Sequence, residues 1–566
     1  MIRYLDFKDA RCKDCYKCLR ECPVKAIKVV DHHAKIIDSR CILCGHCTKV
    51  CPQNAKSVHT ERGEVEELLK GGNVIASVAP SFVSSFNLQD FSVMKLALGR
   101  LGFADAEETS IGAREVTAQY KKLLEGGKYK NFITSCCPAV NTLIELYYPK
   151  ALQYLAPVDT PMIAHAKMIR EKRPDAKVVF IGPCIAKKRE AKESGIVDGV
   201  LTFEDLAAMF EDKGIVLDEI ARLPAHASGG VNRAKYYPIS RGIIKSFENY
   251  IDGYEFVAVD GAKKCKEGLE NIESLSGMFI EINSCDSACV NGPCSLALKA
   301  GALKANADIR KYVNKDLQEH ASAAYTPSDI DFTCVRERRR TEDFIPTDRQ
   351  LSEILAKTGK TKPEDMLNCG ACGYDTCLEK AWAVANGYAN IDMCVPFMRE
   401  RAESMSYEII QTSPNGIVLL DNDLNILEIN NKAKQLLGIR DYDIKGKGIF
   451  HYFNPTDFVL ATQDHQNIYN KKVFLEKTSS YIELTIIVLK DNKGTYAVMK
   501  DITQETKSEE QLDKVKLETL ATTDEVIKKQ MRVAQEIASL LGETTAETKV
   551  ALLKLKKTLQ GDDGGK

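Results

Sequence analysis

No stretch of the 566 residues approaches the roughly 20 consecutive apolar residues that a membrane-spanning helix needs. The first residues, Met1-Ile-Arg-Tyr-Leu-Asp-Phe-Lys-Asp9, lack the apolar core of an export signal. Neither membrane insertion nor secretion is expected, and the location expected is cytoplasmic. Charge of one sign is missing too: the net charge is -1. That leaves no basic footprint for nucleic acid or an anionic membrane, so neither is expected as a partner. Two residue types run out along the chain. No cysteine follows Cys394, and no histidine follows His465. Thiol chemistry is thereby confined to the first 400 residues or so. What remains is ordinary for globular protein, 44% hydrophobic and 28% charged. The length calls for several domains. The 20 cysteines, clustered at short spacings in a reducing compartment, read as metal ligands rather than disulfides.

Residues 1–62 contain an internal repeat. Cys12-x2-Cys15-x2-Cys18-x3-Cys22-Pro23 recurs as Cys41-x2-Cys44-x2-Cys47-x3-Cys51-Pro52. The run resembles the two-cluster bacterial ferredoxin, in which the fourth cysteine of each run ligates the other cluster. The resemblance assigns Cys12, Cys15, Cys18 and Cys51 to one [4Fe-4S] centre, and Cys41, Cys44, Cys47 and Cys22 to the second. A zinc site is the rival reading of any such cysteine set.

Residues 70–345 alternate short apolar runs with helical patterns, which predicts α/β layering on a mainly parallel sheet. Val74–Val78, Asn131–Ile133, Lys177–Ile181 and Phe279–Ile282 read as buried strands, and Leu96–Leu101 and Phe203–Asp212 as helices. Three of these strands end just before a distinctive cysteine segment: Thr134-Ser-Cys-Cys-Pro138, Gly182-Pro-Cys-Ile-Ala-Lys187 and Asn283-Ser-Cys-Asp-Ser-Ala-Cys289. Sites gather at the carboxyl ends of strands in such folds.

These three segments resemble the signature loops of [FeFe]-hydrogenases, and the resemblance extends over residues 1–400. It implies an H-cluster: a [4Fe-4S] cubane joined to a two-iron half carrying CO, cyanide and an azadithiolate bridge. Cys137, Cys184, Cys285 and Cys289 match the cubane ligands, and Cys289 matches the thiolate that bridges to the two-iron half. Lys187 matches the lysine that donates to a cyanide, and Glu190 its acidic partner. Ala79-Pro80-Ser81 matches the segment beside the other cyanide. Cys136 matches the proton-relay thiol; its plain alternative is a buried, inert cysteine. The substrates implied are H2 and protons.

The chain also departs from that pattern. Two relay glutamates align with Tyr120 and Leu123, and a relay serine with Ala156; Glu115 lies within one position of an alternative alignment. Methionines that surround the cluster in the family align with Gly182 and Asn283, a tryptophan with Val140, and the usual Gly-Gly pair with Ser287-Ala288. A damaged proton route and slow turnover are expected. Cys294 is an added sulfur near the site or a packed residue, and Cys265 and Cys334 read as core.

Residues 346–400 carry Cys369-x2-Cys372-x4-Cys377-x16-Cys394, with a helix over 378–387 returning the last. The set resembles a small [4Fe-4S] domain, with zinc as rival. Residues 404–503, from Ser413-Pro-Asn-Gly-Ile-Val-Leu-Leu-Asp421 to Tyr496-Ala-Val-Met-Lys-Asp-Ile-Thr503, resemble an α+β PAS sensory domain. Its only candidate haem ligands, His451 and His465, read more simply as surface or core residues. Residues 504–560 hold apolar positions at helical spacing, including Leu512, Val515, Val526, Val533 and Ile537, with a break at Gly542 and resumption at Val550. A helical hairpin that dimerises and carries a signal is expected, followed by a disordered Gly-Asp-Asp-Gly-Gly end. The whole reads as a multidomain α/β protein, a sensory hydrogenase with a ferredoxin-like redox partner or a signalling protein downstream. A ferredoxin-linked metabolic hydrogenase and a hydrogenase-like iron–sulfur assembly protein without the two-iron half are the alternatives.

Overall fold

The computed structural model describes residues 4–222, 232–299, 301–319, 325–340, 343–440, 444–489, 494–541 and 545–559. The chain divides into two compact units, Met1–Phe397 and Met398–Lys566.

In the first unit the N-terminal repeat folds as two short antiparallel ladders. β1 (Leu5–Phe7) pairs β4 (Lys56–Val58), and β2 (Ile27–Val30) pairs β3 (His33–Ile36). The β2–β3 ladder lies between the two cysteine runs, and the β1–β4 ladder joins the segments that flank them. The hydrogenase-like segment that follows holds β5 (Val74–Val78), β6 (Asp105–Glu108), β7 (Asn131–Ile133), β8 (Lys177–Gly182), β9 (Gly199–Thr202), β10 (Glu255–Asp260) and β11 (Met278–Asn283). β5 is buried at all five positions, the mark of a strand covered on both faces.

One mainly parallel sheet is expected from the sequence; the structure has two. One runs β6-β5-β8-β9 and the other β10-β11-β7, parallel throughout. The apolar runs of β5, β7, β8 and β11 look alike, and strand partners are chosen by tertiary packing that a run of residues does not encode. The consequence is functional. The cysteine loops leave the carboxyl ends of β7 and β11 in one sheet and of β8 in the other, so the site is approached from both.

Helices fix the loops where they end. α1 (Ser110–Glu125) carries Tyr120. α2 (Pro138–Tyr147) starts immediately after Cys137, with proline in the first turn, where its missing N–H costs nothing. α3 is Pro161–Lys172, and α4 (Ala186–Ser194) follows Cys184. α5 (Cys377–Ala385) is capped by Thr376, whose side chain accepts from Glu379 N. α6 (Val395–Thr412) begins at the residue after Cys394 and runs unbroken through positions 400–404, where the sequence suggests a junction.

The second unit has a five-stranded antiparallel sheet: β12 (Gly416–Leu420), β13 (Ile426–Ile429), β14 (Ile468–Leu475), β15 (Ser480–Val488) and β16 (Thr495–Asp501), in the order β13-β12-β16-β15-β14. Asn430 stitches its start, accepting from Ile417 N at 2.8 Å and donating to Asn415 O at 2.8 Å. α7 (Thr503–Leu541) and α8 (Thr545–Leu559) form the hairpin, joined by Lys556 and Asp524 at 2.8 Å. Leu512, Val515, Val526, Val533 and Ile537 are exposed along α7. The break expected at Gly542 and the Gly-rich end lie outside the described residues.

Candidate active site

The three loops meet at one partly open cavity of about 100 Å³. Cys136, Cys137, Cys184, Cys285, Cys289, Lys187, Pro80 and Ser81 all line it. Residues more than 200 positions apart thus share one wall. Of the four proposed cubane cysteines, Cys289 alone is classed as exposed, and the cavity is the space it lines. Burial pushes these thiols up, Cys184 to about 11, and their mutual charge adds to it. Four soft donors that resist ionisation together suit a positively charged metal cluster, which offsets the charge they develop on binding.

Lys187 is buried. Its Nζ donates to Glu190 Oε2 at 2.7 Å and to Thr160 Oγ1 at 2.8 Å. An ammonium has three donors, so one remains beyond these two partners. Across the cavity, Ser81 Oγ is fully buried with no hydrogen-bond partner, and Ser284 Oγ, also in the wall, is likewise unpartnered. Each such orphan costs on the order of 1–3 kcal/mol. A guest with acceptor atoms would remove that cost, and cyanide nitrogen and cluster sulfide are acceptors of the required kind. The wall therefore fits the group that the sequence resemblance implies. Among the described residues, no three His, Cys, Asp or Glu side chains close on a single-ion site.

The proton side differs. Cys136 is half-buried, and desolvation pushes its thiol up to about 12 despite the lowering effects of Tyr120 and Lys187. Its Sγ lies 3.3 Å from Tyr120 Oη, and that hydroxyl is 2.9 Å from Ser135 Oγ. Ser135 Oγ donates to Val158 O at 2.8 Å, so the polar chain ends on a carbonyl. Ala156 is fully buried and Leu123 packs against the same apolar cluster. Glu115, the carboxylate the alternative alignment leaves in play, is engaged elsewhere: it accepts from Tyr325 Oη and from Ser328 N at 3.0 Å. Its partners come from a segment 210 residues away, which the sequence does not reveal. Glu281 is a buried carboxylate the sequence reading passes over. Burial lifts it to about 7, while it accepts from Gly242 N at 3.1 Å and Ile244 N at 3.0 Å. Its place inside a strand that ends at a cysteine loop is the only local signal of it. Cys294 is fully buried in an apolar cluster, as is Cys265; Cys334 is half-buried.

Cys41, Cys44 and Cys47 share an apolar cluster with Cys137 and Cys184. The approach is close at Gly45, in the left-handed region at φ 72°, where an added Cβ would stand 2.5 Å from Pro293. Only glycine satisfies both conditions. Arg189 Nη2 donates to Cys41 O at 2.7 Å across the same contact. On the far side of the repeat, Cys12 and Cys18 pack in a cluster with Tyr374 and Cys372. Arg20 Nη1 donates to Ala371 O at 3.3 Å, and Asn390 Nδ2 to Val29 O at 3.3 Å. Cys369, Cys372, Cys377 and Cys394 line one pocket with Lys360 and Lys380.

Family models match in the same order. The iron only hydrogenase large subunit, C-terminal domain, matches residues 72–293, and a 4Fe-4S dicluster domain matches 11–55. An Fe-S cluster model matches 365–396 and the PAS fold 405–500. The periplasmic [Fe] hydrogenase large subunit of Nitratidesulfovibrio vulgaris is 30% identical over 327 residues, covering 48% of this chain and 75% of that protein. This chain belongs to the iron-only hydrogenase family. Iron hydrogenase 1 of Clostridium pasteurianum is 28% identical over 278 residues, 39% of this chain and 48%, about half, of that hydrogenase. A solved [FeFe]-hydrogenase from Chlamydomonas reinhardtii is 18% identical with a TM-score of 0.36, covering 46% of this chain and 90% of that one. The PAS domain of an HTR-like protein from Haloarcula marismortui is 20% identical with a TM-score of 0.16, covering 18% and 99%. The hydrogenase unit is thus an iron–sulfur protein joined to a PAS fold. Among the described residues no helix is long and apolar enough to cross a membrane.

Proposed function

We propose that this chain is a sensory [FeFe]-hydrogenase that reacts slowly with H2, passes the electrons through [4Fe-4S] clusters and signals through its PAS domain. One observation carries the reading: three distant loops bring Cys136, Cys137, Cys184, Cys285, Cys289 and Lys187, itself paired with Glu190, to a single cavity. In this reading Cys137, Cys184, Cys285 and Cys289 would hold the H-cluster, with Cys289 the thiolate nearest its two-iron half. Cys12, Cys15, Cys18 and Cys51 hold one accessory [4Fe-4S] centre, Cys41, Cys44, Cys47 and Cys22 the next, and Cys369, Cys372, Cys377 and Cys394 a third.

The H-cluster, when bound, supplies the iron at which H2 splits into two protons and two electrons. The protein binds and orients it. Lys187, held in place by Glu190 and Thr160, would offer its remaining N–H to an anionic ligand of the cluster. Ser81, on the turn after Pro80, would offer its unpartnered hydroxyl to another. Cys136 holds a proton at Sγ, since burial keeps the thiol protonated well above neutral pH. From there the proton meets Tyr120 and Ser135, whose hydroxyl is committed to Val158 O. A relay needs a group that gives a proton up near the working pH, and a buried tyrosine hydroxyl does not. Slow proton exit follows, which suits detection better than metabolism. The exposed apolar stripe of α7 supports a homodimer as the output.

The deciding experiment is maturation of the purified chain with the two-iron half. CO and cyanide infrared bands with slow H2 turnover are expected. Bands with H2 evolution as fast as that of metabolic hydrogenases would sink the sensory reading. No bands at all would favour the assembly-protein alternative.

A further inference from the structure

The two cysteine repeats are nearly superimposable in sequence, yet one position breaks their symmetry. Five residues after Cys22 stands Ile27; five residues after Cys51 stands Lys56. The backbone between is equivalent, since Ala26 N donates to Cys22 Sγ and Ala55 N to Cys51 Sγ, both at 3.3 Å. Lys56 is 6% exposed, and its Nζ donates to Cys18 Sγ at 3.1 Å. Ile27 is buried at the matching place, in a cluster that includes Cys47. A second ammonium stands at the small domain: Lys360 Nζ donates to Cys394 Sγ at 3.3 Å, held also by Thr358 O at 3.1 Å. The cysteines nearest the hydrogen site are different. Cys22 Sγ and Cys41 Sγ accept from the backbone of Ala26 and Leu43, and no lysine donates to Cys22, Cys41, Cys44 or Cys47 among the described residues.

We propose that Lys56 and Lys360 are positioning residues that set a downhill electron path, away from the hydrogen site and toward the small domain at the head of α6. The proposal rests on the cluster assignments above. Cluster potential depends on net charge, hydrogen bonds to sulfur and solvent exposure. A cation donating to a ligand thiolate favours the reduced, more negative cluster, so it raises the potential. Exposure does not separate the sets: Cys15 and Cys369 are exposed but Cys18 and Cys394 are buried, while Cys22, Cys41, Cys44 and Cys47 are all partly covered, so the lysine contacts carry the difference. Packing sets Cys41, Cys44 and Cys47 beside Cys137 and Cys184, and gathers Cys12, Cys18, Cys22, Cys47 and Cys372 in a second cluster, where Gly373 meets Leu19 and Arg20, the residues that follow Cys18.

Each H2 yields two protons and two electrons, and each accessory centre accepts one electron. Two electrons therefore fill two of three centres, and the gradient selects the two that carry lysines. The innermost centre stays oxidised and ready to pass on the next electron. The outermost centre, once reduced, adds negative charge at Cys394, the residue that immediately precedes α6. Hydrogen would thereby be reported as charge at the root of the helix that leads into the PAS fold.

The test is an EPR-monitored redox titration of the full-length, cluster-loaded chain, with iron and sulfide counted in each sample. Lys56→Ile copies the other repeat, and Lys360→Met removes the second cation. Lys56→Ile should lower one accessory wave and Lys360→Met a different one, while the third wave moves in neither. A tenfold change in electron sharing with the unmoved centre is about 59 mV for a one-electron couple, and at least that is expected. Lys56→Arg, which keeps a donor cation, should hold its wave near the parent. Full cluster content with no wave moved, or with one wave moved by both substitutions, overturns the gradient and leaves the ligand assignments standing. Fewer than three accessory centres in the parent overturns those assignments and the gradient with them.

Discussion

The hydrogen-site cavity and the PAS core are built on opposite principles. The PAS core packs Val418, Leu420, Ile426, Ile429, Ile449, Phe458, Ile482, Leu484 and Ile486 into one apolar cluster. Its two histidines, His451 and His465, are exposed, which places them away from any haem in that core. The cavity wall mixes thiols, an ammonium and hydroxyls, two of them with unpartnered oxygens. An apolar core stabilises a fold by burial alone, at roughly 25 cal/mol per Å². The unpartnered hydroxyls set in that otherwise largely apolar wall cost stability until a guest satisfies them. The first region holds shape; the second is shaped for something else.

That contrast breaks if a core substitution in the PAS fold alters the hydrogen chemistry. Leu420→Ala removes a fully buried side chain and is expected to cost about 3–5 kcal/mol of PAS stability. Calorimetry should show one transition lowered, with the infrared bands of the matured H-cluster unchanged. Shifted bands would mean that the two regions are not energetically separate. Lys187→Met tests the converse. It removes the donor aimed into the cavity and should lower H2 turnover by about 10²–10³-fold, the loss typical of one preorganised donor. Cyanide bands should shift, and the PAS transition should stay in place. An unchanged rate would remove Lys187 from the working machinery.

The same two regions were unequally legible in sequence. Cysteine spacing carries its meaning locally, because three thiolates on one loop must face one cube, and the ferredoxin and small-domain motifs stand out for that reason. The strands β5, β7, β8 and β11 are equally plain as continuous apolar runs. Their division into two sheets is not, since pairing is a long-range choice. Nor is the engagement of Glu115 by Tyr325, or the docking of Gly373 against Leu19, where an added Cβ would stand 2.7 Å from Leu19 Cγ. Lys56 is an intermediate case. Its departure from Ile27 is visible in the repeat, but its bond to Cys18 depends on a fold that brings β4 beside the other repeat's loop.

The smallest expected effect sharpens the contrast at a single residue. Ser287 and Ala288, where the sequence resemblance leads one to expect a glycine pair, keep a glycine-like backbone at φ 63° and 62°. Ala288 also has ψ near -155°, in a region that is essentially glycine's alone and costs on the order of 1–3 kcal/mol for other residues. No such strain is needed to fill a core. It persists because Cys285 and Cys289 hold both ends of the turn against the cavity. Ala288→Gly removes the strain and gives up one buried methyl, worth about 0.8 kcal/mol. A net gain of about 1 kcal/mol is expected, seen as a raised denaturant midpoint of the first unit with its slope unchanged. A loss of stability would mean that the methyl packs better than the backbone is strained. The turn would then belong with the PAS core as packing, rather than with the cavity as a shape held for its guest.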